Sequence, residues 1–249
     1  MGTLASAAFD RIAEDYDEIW TRSTIGQLQR AAVWRYVDPL VKAGDRLLDL
    51  GCGTGEDALR FTQRGAEVQG IDASLNMVRM ARARGVQARR LAIESLCELS
   101  GQFDGAISNF GALNCVRDLK SVASALGRLM RPGGYLAVCV MGACCAWETI
   151  HFFRRGDFQN AFRRWRRENI RSALGVPVAY RSVNQFRRAF RDQFKLTTWH
   201  GIGICVPPSY VNGLSEALLA QLGELDARIN SWPLLRALSD HRLILFERL

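Results

Sequence analysis

The chain has 249 residues and a formal net charge of +8, and hydrophobic residues make up 48% of it. This length is typical of one domain with insertions, and the apolar content is enough for a sizeable core. No stretch approaches the ~20 apolar residues of a membrane-spanning helix, and no secretory signal is evident. Seven cysteines, an odd number with no C-x-x-C spacing, argue against a disulfide framework or a metal site and favour a reducing, cytoplasmic location.

The positive charge is concentrated in one segment. Residues 154–195 hold eleven arginines and one lysine against three carboxylates, a net charge of +9, so the rest of the chain carries −1. A substrate or partner that is recognised by its negative charge would therefore be expected to bind at this segment.

The first predicted elements are two helices. Apolar side chains recur at helical spacing within residues 4–20, namely at Phe9, Ile12, Ala13 and Tyr16. A second helix is predicted over 26–40, and Asp38-Pro39 marks its end.

A strand predicted over 46–50 runs into the loop Gly51-Cys52-Gly53-Thr54-Gly55. Glycines at this spacing let the backbone turn tightly and approach a ligand, and a helix over 56–64 would direct free N–H groups at it. A dinucleotide would place its pyrophosphate against Glu56, and a Walker loop would need a lysine that is absent here. Because Asp49 precedes the glycines, the loop favours a cationic nucleoside without phosphate.

The second predicted strand, 67–72, ends in Asp72, which lies 17 residues after Gly55. A carboxylate at a strand tip can accept both hydroxyl groups of a ribose. It can also cap the helix predicted over 74–84. Both interpretations of Asp72 are open at this point.

Together, the eight residues from Leu48 to Gly55 and the acid at Asp72 resemble motif I and the following acidic position of the class I S-adenosylmethionine-dependent methyltransferases. The resemblance implies an α/β, Rossmann-like three-layer sandwich, with a seven-stranded, mostly parallel sheet whose last strand is antiparallel, and with helical lid insertions. It implies S-adenosyl-L-methionine as the cofactor. The cofactor-binding residues that we expect are Asp49, Gly51, Cys52, Gly53, Gly55, Asp72, Ala73, Ile93, Glu94, Asn109 and Phe110.

The middle of the chain continues the alternation of strands and helices, with a third strand over 86–91. Family members usually carry an aspartate that binds the adenine amino group after this strand, and Ala92 stands there instead. Ile93 could then sandwich the adenine, while Glu94 or a backbone group meets its edge. The fourth strand, 103–108, ends in Asn109-Phe110, which resembles motif IV at the methyl-bearing end of the cofactor. Asn109 could equally be a turn former.

The remaining core elements are a helix over 117–130, a turn at Arg131-Pro132-Gly133-Gly134 that resembles the family's turn, and a fifth strand over 135–141. A sixth strand is predicted in two parts, 194–199 and 201–206, and the last strand over 242–248. We expect one domain, 1–249, with cap helices in 1–44, a cofactor-binding core in 45–141, and substrate-covering insertions in 142–181 and 207–239.

The insertion 142–181 combines aromatic and basic residues. Phe158, Ala161, Phe162 and Trp165 recur at helical spacing, opposite Arg163, Arg164, Arg166 and Arg167. Three interpretations are open: a lid helix with its aromatic face on the core and a solvated arginine face, a surface for an anionic or lipid-like substrate or a membrane through 154–171, and nucleic-acid binding. The third is disfavoured, because base-amine methyltransferases carry a Pro-Pro-aromatic run where this chain has Asn109-Phe110-Gly111-Ala112.

Candidates for a catalytic base are Glu148, His151, Tyr16 and Tyr210. His151 lies three residues after Glu148 in a predicted helix, so the two could pair, which would raise the pKa of the imidazole. Resemblance to small-molecule and quinone-type methyltransferases implies that the first helix covers the cofactor with Tyr16 near the sulfonium, although it could be a plain packing helix. His200 and His241 have weaker claims.

The sequence therefore predicts methyl transfer from S-adenosylmethionine to an oxygen, nitrogen or carbon of a small molecule, either an apolar or anionic metabolite or a lipid-like compound. The alternatives are an RNA-directed methyltransferase that uses the basic segment 154–195, and a non-catalytic scaffold that binds the cofactor. The acceptor atom and the oligomeric state are left open.

Overall fold

The computed structural model describes residues 2–166, 170–172, 174–211 and 213–249, and side chains from Ser6 onward. Its α-helices are α1 (Gly2–Tyr16), α2 (Thr24–Val37), α3 (Glu56–Gln63), α4 (Leu75–Ala83), α5 (Leu119–Leu129), α6 (Ala146–Phe153), α7 (Phe158–Ala161), α8 (Val183–Phe190) and α9 (Glu216–Ile229). A π-helical turn, Asp17–Thr21, extends α1, and short 3-10 helices cover Asp38–Leu40, Ile93–Glu98, Ala112–Asn114, Arg163–Arg166 and Leu235–Leu238.

The strands are β1 (Arg46–Leu50), β2 (Glu67–Asp72), β3 (Gln87–Arg90), β4 (Phe103–Ser108), β5 (Met130–Met141), β6 (Ile170–Arg171), β7 (Pro177–Val178), β8 (Phe194–Ile202) and β9 (His241–Arg248). Seven of them form one sheet in the order β3-β2-β1-β4-β5-β9-β8. β1 to β5 pair in parallel, and β9 lies antiparallel between β5 and β8. The predicted seven-stranded sheet with an antiparallel last strand is confirmed.

Helices cover both faces of the sheet. In β1, Leu48 and Leu50 belong to a core with α5 and α8, whereas Leu47 belongs to a core with α2, α3 and α4. This division follows from strand geometry, in which successive side chains point to opposite faces. The three-layer sandwich is thereby confirmed, and the carboxyl ends of β1, β2, β4 and β5 meet at one edge.

The strand bounds of the main sheet agree with the sequence prediction to within one residue except at two places. β5 begins at Met130 instead of 135, because Met130 already pairs with Phe103 and the next paired residue is Tyr135, opposite Gly105. The predicted turn at Arg131–Gly134 is therefore a bulge within the strand. The sixth strand is one continuous element, β8, paired along β9.

The insertion after β5 differs from the predicted lid helix. α7 ends at Ala161 and a 3-10 helix starts at Arg163, so the helical spacing that put all the arginines on one face does not continue. Arg164 is 4% exposed, while Trp165 is 58% exposed. The solvated arginine face is thus wrong for Arg164, and Arg167 lies outside the described residues. In the part of the chain that the structure describes, no helix is both long and apolar enough to cross a membrane.

Candidate cofactor and acceptor site

A cavity of about 520 Å³ lies at the carboxyl edge of the sheet. Its wall is formed by the loops after β1, β2, β3 and β4, by α1 above them, and by the insertion and the segment after β8 on the far side. Ligands in open α/β sheets bind at this edge.

The glycine loop after β1 forms the floor of the cavity. Gly51 and Gly53 line it with φ of 74° and 53°, left-handed values that glycine adopts without steric cost. A Cβ at Gly51 would lie 2.5 Å from the Cβ of Ala112, so only a bare backbone fits there. Gly55 (φ 85°) is the N-cap of α3, and Cys52 is buried in the core beside Gly70.

Asp72 lies at the tip of β2 and lines the cavity together with Ala73. Its Oδ2 accepts a hydrogen bond from the Gly53 N–H (2.9 Å), and its Oδ1 accepts one from the Ser74 N–H (2.8 Å). Ser74 itself caps α4, since its hydroxyl accepts the Met77 N–H. Burial raises the pKa of Asp72, and the two backbone donors oppose that shift. Both carboxylate oxygens thus retain a lone pair for a ligand hydroxyl.

Asp49 lies buried beneath the loop and not at the cavity wall. Its Oδ2 has no hydrogen-bond partner among the described residues. Burial, and then the nearby charge of Asp57, hold the pKa of Asp49 well above its usual range. Asp57, at the start of α3, accepts hydrogen bonds from Arg30 Nη1 (2.5 Å), Trp34 Nε1 (2.7 Å) and Asn109 Nδ2 (3.1 Å).

The tip of β4 carries strained backbone. Phe110 has φ of 48°, a value that non-glycine residues rarely adopt and that persists where the surroundings enforce it. The Asn109 Oδ1 accepts the Phe110 N–H (3.1 Å), so this side chain performs the turn role that the sequence left open. The Phe110 ring lies edge-on to Trp20 and to His241, each at 5.4 Å.

The N-terminal helix is fastened over the cavity at two points. Asp10 accepts hydrogen bonds from the Ser74 hydroxyl (2.6 Å) and the Asn76 N–H (3.0 Å). Further along, Asp17 accepts one from the Thr54 hydroxyl (2.7 Å) and pairs with Arg84. These contacts hold α1 against the glycine loop and the start of α4. Tyr16, between them, lines the cavity, and burial raises its pKa to about 12.

On the opposite side, Glu148 of α6 organises the insertion. Its carboxylate accepts two hydrogen bonds from Arg163 (both 2.8 Å), one from Arg164 (2.9 Å) and one from the Tyr210 hydroxyl (2.8 Å). Arg164 also donates to Asp240 Oδ1 (2.6 Å) and to the Asp240 carbonyl (2.8 Å). Although burial opposes it, the two arginines lower the pKa of Glu148. This buried cluster ties the insertion to the entry of β9.

Residues 47–134 match the family model of a methyltransferase domain. A demethylmenaquinone methyltransferase of Paenarthrobacter aurescens is 32% identical over 196 residues, which are 77% of this chain and 74% of that protein. A malonyl-[acyl-carrier protein] O-methyltransferase of Enterobacter lignolyticus is 31% identical over 194 residues, 70% of this chain and 73% of that protein. The chain belongs to the class I S-adenosylmethionine-dependent methyltransferases.

A solved structure extends the likeness in fold. The geranyl diphosphate C-methyltransferase of Streptomyces coelicolor has a TM-score of 0.57 at 17% identity, over 90% of this chain and 80% of that one. The cavity of the present methyltransferase fits its cofactor, S-adenosylmethionine. The free lone pairs of Asp72 suit ribose hydroxyls, and the bare backbone at Gly51 and Gly53 admits a close ligand.

The expected cofactor residues fall into two groups in this methyltransferase. Eight line the cavity: Gly51, Gly53, Asp72, Ala73, Ile93, Glu94, Asn109 and Phe110. The other three do not line the cavity: Asp49 is buried beneath the loop, and Cys52 and Gly55 are loop residues that are buried away from the cavity.

The candidate bases are distributed differently from the expectation. Glu148 does not pair with His151, because Arg163, Arg164 and Tyr210 occupy its oxygens. His151 Nε2 lies 2.8 Å from Arg155 Nη1 instead. Slight burial and the Arg155 charge lower the pKa of His151, so the expected rise is wrong.

The pair Asp240-His241 lies at the cavity, although the sequence gives His241 only a weak claim as a base and gives Asp240 no role. Both residues line the cavity, and His241 Nδ1 lies 3.2 Å from Asp240 Oδ2. The available signal was position: the pair enters the last strand, which is antiparallel and begins beside the end of β5.

Proposed function

We propose that this methyltransferase transfers a methyl group to a small-molecule acceptor with an apolar body. The observation that carries the proposal is the continuity of the cavity, which runs from Asp72 at the cofactor end to Tyr210 and the insertion. Its volume of about 520 Å³ is within the range of small-molecule sites. The quinone and acyl-carrier substrates in the names of its relatives support the same class.

The acceptor half also offers positive charge. Arg163 lines the cavity, and its Nε and Nη2 hold the Glu148 carboxylate. The fixed guanidinium can therefore present its Nη1 edge to an anionic group without a large loss of side-chain entropy. Leu174, Val176 and Val178 of the insertion supply apolar wall beside it. An acceptor with an apolar body and an anionic group fits both features.

The chain contributes mainly position and exclusion of water. When bound, S-adenosylmethionine supplies an already activated methyl group on its sulfonium. α1 and the insertion cover the cavity from opposite sides, which orients the reactants and keeps water away. Tyr16 is protonated at neutral pH, as tyrosines ordinarily are, and burial raises its pKa further, so its hydroxyl can donate a hydrogen bond to the acceptor. Tyr210 is positioned by its hydrogen bond to Glu148.

The RNA-directed alternative loses support from the same geometry. Arg164, one of the arginines in the basic segment, is buried in ion pairs with Glu148 and Asp240, and Arg163 faces the cavity, so neither is exposed on a surface that a phosphate backbone could contact. The alternative of a non-catalytic scaffold differs from an enzyme only in whether methyl transfer occurs. It predicts binding of S-adenosylhomocysteine with no methyl transfer to any acceptor.

The test is a transfer assay with methyl-labelled S-adenosylmethionine. The probes are a prenylated naphthohydroquinone, a malonyl thioester and trans-aconitate. We expect labelled product from at least one probe, and loss of that product in Val178→Phe, which narrows the acceptor half of the cavity, with unchanged affinity for S-adenosylhomocysteine. Binding of S-adenosylhomocysteine without transfer to any probe would contradict the proposal.

We also infer that the methyltransferase touches anionic membranes through one exposed surface. The aromatic–arginine surface comprises apolar side chains that are each more than half exposed and three exposed arginines: Ile150, Phe153, Phe158, Trp165, Arg154, Arg155 and Arg166. The ring centroids of Phe153 and Phe158 lie 5.2 Å apart in an edge-to-face contact, so α6 and α7 present one continuous aromatic patch. Basic residues beside exposed aromatic side chains are typical of contact with lipid headgroups.

Vesicle co-sedimentation tests this surface. Wild-type protein should bind phosphatidylglycerol vesicles at low salt, and Trp165→Ala should weaken that binding. Trp232→Ala is the matched control, since Trp232 is equally exposed (57%) but lies after α9. Absent wild-type binding, or equal losses in the two variants, would contradict the inference.

All seven cysteines are free thiols, which supports a cytoplasmic location.

A further inference from the structure

We propose that His241, held by Asp240, is the general base that takes a proton from the acceptor. The proposal rests on the proposed function, and it narrows the acceptor class to molecules that must lose an O–H or C–H proton during or before methyl transfer. Enols, phenols and hydroquinones are such molecules, whereas carboxylates are not.

The position of His241 in the sheet places it on the acceptor side. His241 is the first residue of β9 and pairs with Met141 at the end of β5. In the order of the sheet, β1, β4 and β5 separate β9 from the Asp72 tip of β2. At about 4.8 Å per strand, this separation is roughly 19 Å. Asp72 therefore meets the nucleoside end of the cofactor, and His241 lies beyond the Phe110 tip of β4.

The imidazole has a close neighbour on each of two sides. Its Nδ1 lies 3.2 Å from Asp240 Oδ2, and its ring meets the Phe110 ring edge-on at 5.4 Å. His241 is 7% exposed, and what it exposes contributes to the cavity wall. The contact of Nδ1 with Asp240 is close but lacks hydrogen-bond geometry, and neither ring nitrogen is hydrogen-bonded among the described residues. A base nitrogen without a protein partner is therefore available to an acceptor in the cavity.

Asp240 is a buried carboxylate that can orient this imidazole and offset its positive charge when it is protonated. It is 4% exposed, and it accepts hydrogen bonds from Arg164 Nη2 (2.6 Å) and Gln29 Nε2 (3.4 Å). Burial alone would raise its pKa, but His241 and Arg164 hold the pKa of Asp240 well below its usual range. An ionised carboxylate at Nδ1 favours the tautomer with a free Nε2, and it stabilises the imidazolium that forms.

The other ionisable groups near the pair have different partners or positions. Those around Asp240 and the Phe110 ring are Arg164, Arg242, Glu148, Cys145, Cys139, Tyr180, Tyr210 and Arg30. Arg242 donates hydrogen bonds to the carbonyls of Cys144 and Ala237. The carboxylate oxygens of Glu148 already accept hydrogen bonds from Arg163, Arg164 and Tyr210, and Arg30 is paired with Asp57. Burial raises the pKa of the Cys139 thiol and raises that of Cys145 to about 12, so neither is a base at neutral pH. On the cavity side, Tyr16 also keeps its proton.

The step is a proton transfer coupled to an alkyl transfer. The acceptor O–H bond breaks, its proton goes to His241 Nε2, and its electron pair attacks the methyl carbon through oxygen or the conjugated carbon. The S–CH₃ bond breaks at the same time, and its electrons stay on sulfur as the thioether of S-adenosylhomocysteine. His241 then returns its proton to water as the product leaves, so charge and atoms balance.

The experiment measures single-turnover methyl transfer to the prenylated naphthohydroquinone as a function of pH. Wild-type protein should show a rate that falls on the acid side, because an imidazolium cannot accept a proton. His241→Gln should lose about 10²–10⁴-fold at neutral pH and lose that acid limb. Its affinity for S-adenosylhomocysteine should be unchanged. Added imidazole should partly restore the rate of His241→Ala.

The control is His200→Gln, since His200 stacks on Tyr36 at 3.8 Å, in β8 and away from the cavity wall. It should keep both the rate and the pH profile. An acid limb that survives in His241→Gln, or a parallel loss of S-adenosylhomocysteine affinity, would assign His241 a structural role and overturn the inference. Failure of the proposed function would look different: wild type would bind S-adenosylhomocysteine but methylate none of the small probes, and both proposals would fall.

Discussion

Replacing Glu148 by glutamine should weaken the whole cover of the acceptor half. The carboxylate is 1% exposed and accepts four hydrogen bonds, three of them from arginines. A neutral amide has one acceptor oxygen and adds two donors that face Arg163 and Arg164. The two guanidinium groups would then share a buried site with a single counter-charge, Asp240.

The size of the effect follows from the burial of this cluster. Removing one partner of a buried, hydrogen-bonded ion pair costs about 3–5 kcal/mol, because the remaining charge is left without compensation. That is a large part of the ~5–15 kcal/mol by which a typical domain is stable. For a chain of this size, each kcal/mol shifts the melting temperature by about 2–4 °C, so we expect a loss of about 6–20 °C.

Urea unfolding of wild type and Glu148→Gln measures the difference in the free energy of unfolding. Arg166→Ala is the matched control. Arg166 belongs to the same 3-10 helix as Arg163 and Arg164, but it is exposed, and among the described residues it donates only to the Gln159 carbonyl. That control should stay within about 0.5 kcal/mol of wild type. A loss below 1 kcal/mol in Glu148→Gln, comparable with the control, would refute the claim that this buried cluster holds the insertion.

Two further predictions concern the glycine loop and the dependence of stability on pH. Gly53→Ala should fold but bind S-adenosylhomocysteine more weakly than its control, Gly133→Ala. Both glycines have positive φ and free space for a Cβ, but only Gly53 lines the cavity, so equal affinities by calorimetry would contradict this prediction. The pKa of Glu148 is lowered from 4.5 in the folded protein, so its contribution is fully present above the unfolded-state value and is lost as the pH falls through the lower folded-state value. The difference in unfolding free energy between wild type and Glu148→Gln should therefore persist at pH 7 and shrink in acid, and urea titrations at both pH values check it.

The core of this fold could be predicted from sequence because its signals are local. The strand ending at Leu50, the glycines that follow and the strand ending at Asp72 form one contiguous pattern, and the structure has the same strand bounds. Strand period and turn chemistry fix such a segment without long-range information. The sheet order then follows from the alternation of strands and helices.

The acceptor half could not be predicted in the same way, because long-range contacts decide it. Glu148 lies three residues before His151 in the sequence, and helical spacing predicts that the two side chains pair. In the folded chain, Arg163, Arg164 and Tyr210 reach Glu148 from 15, 16 and 62 residues away. These contacts outcompete the local partner, and no periodicity in the sequence encodes them.

The site of cofactor binding is tested most directly by calorimetric titration of S-adenosylhomocysteine into Asp72→Asn. The change keeps the shape of the side chain but removes the charge and one acceptor from the ribose position. Charged hydrogen bonds of this kind contribute about 1.5–3 kcal/mol, so we expect the Kd to rise about 10- to 140-fold.

The matched control is Asp118→Asn, an exposed cap of α5, where asparagine is an equally good cap and affinity should not change. If Asp72→Asn binds S-adenosylhomocysteine as tightly as wild type and Asp118→Asn do, Asp72 does not hold the cofactor and the central assignment of this cavity is wrong. A selective rise in the Kd of Asp72→Asn is the result that the structure predicts.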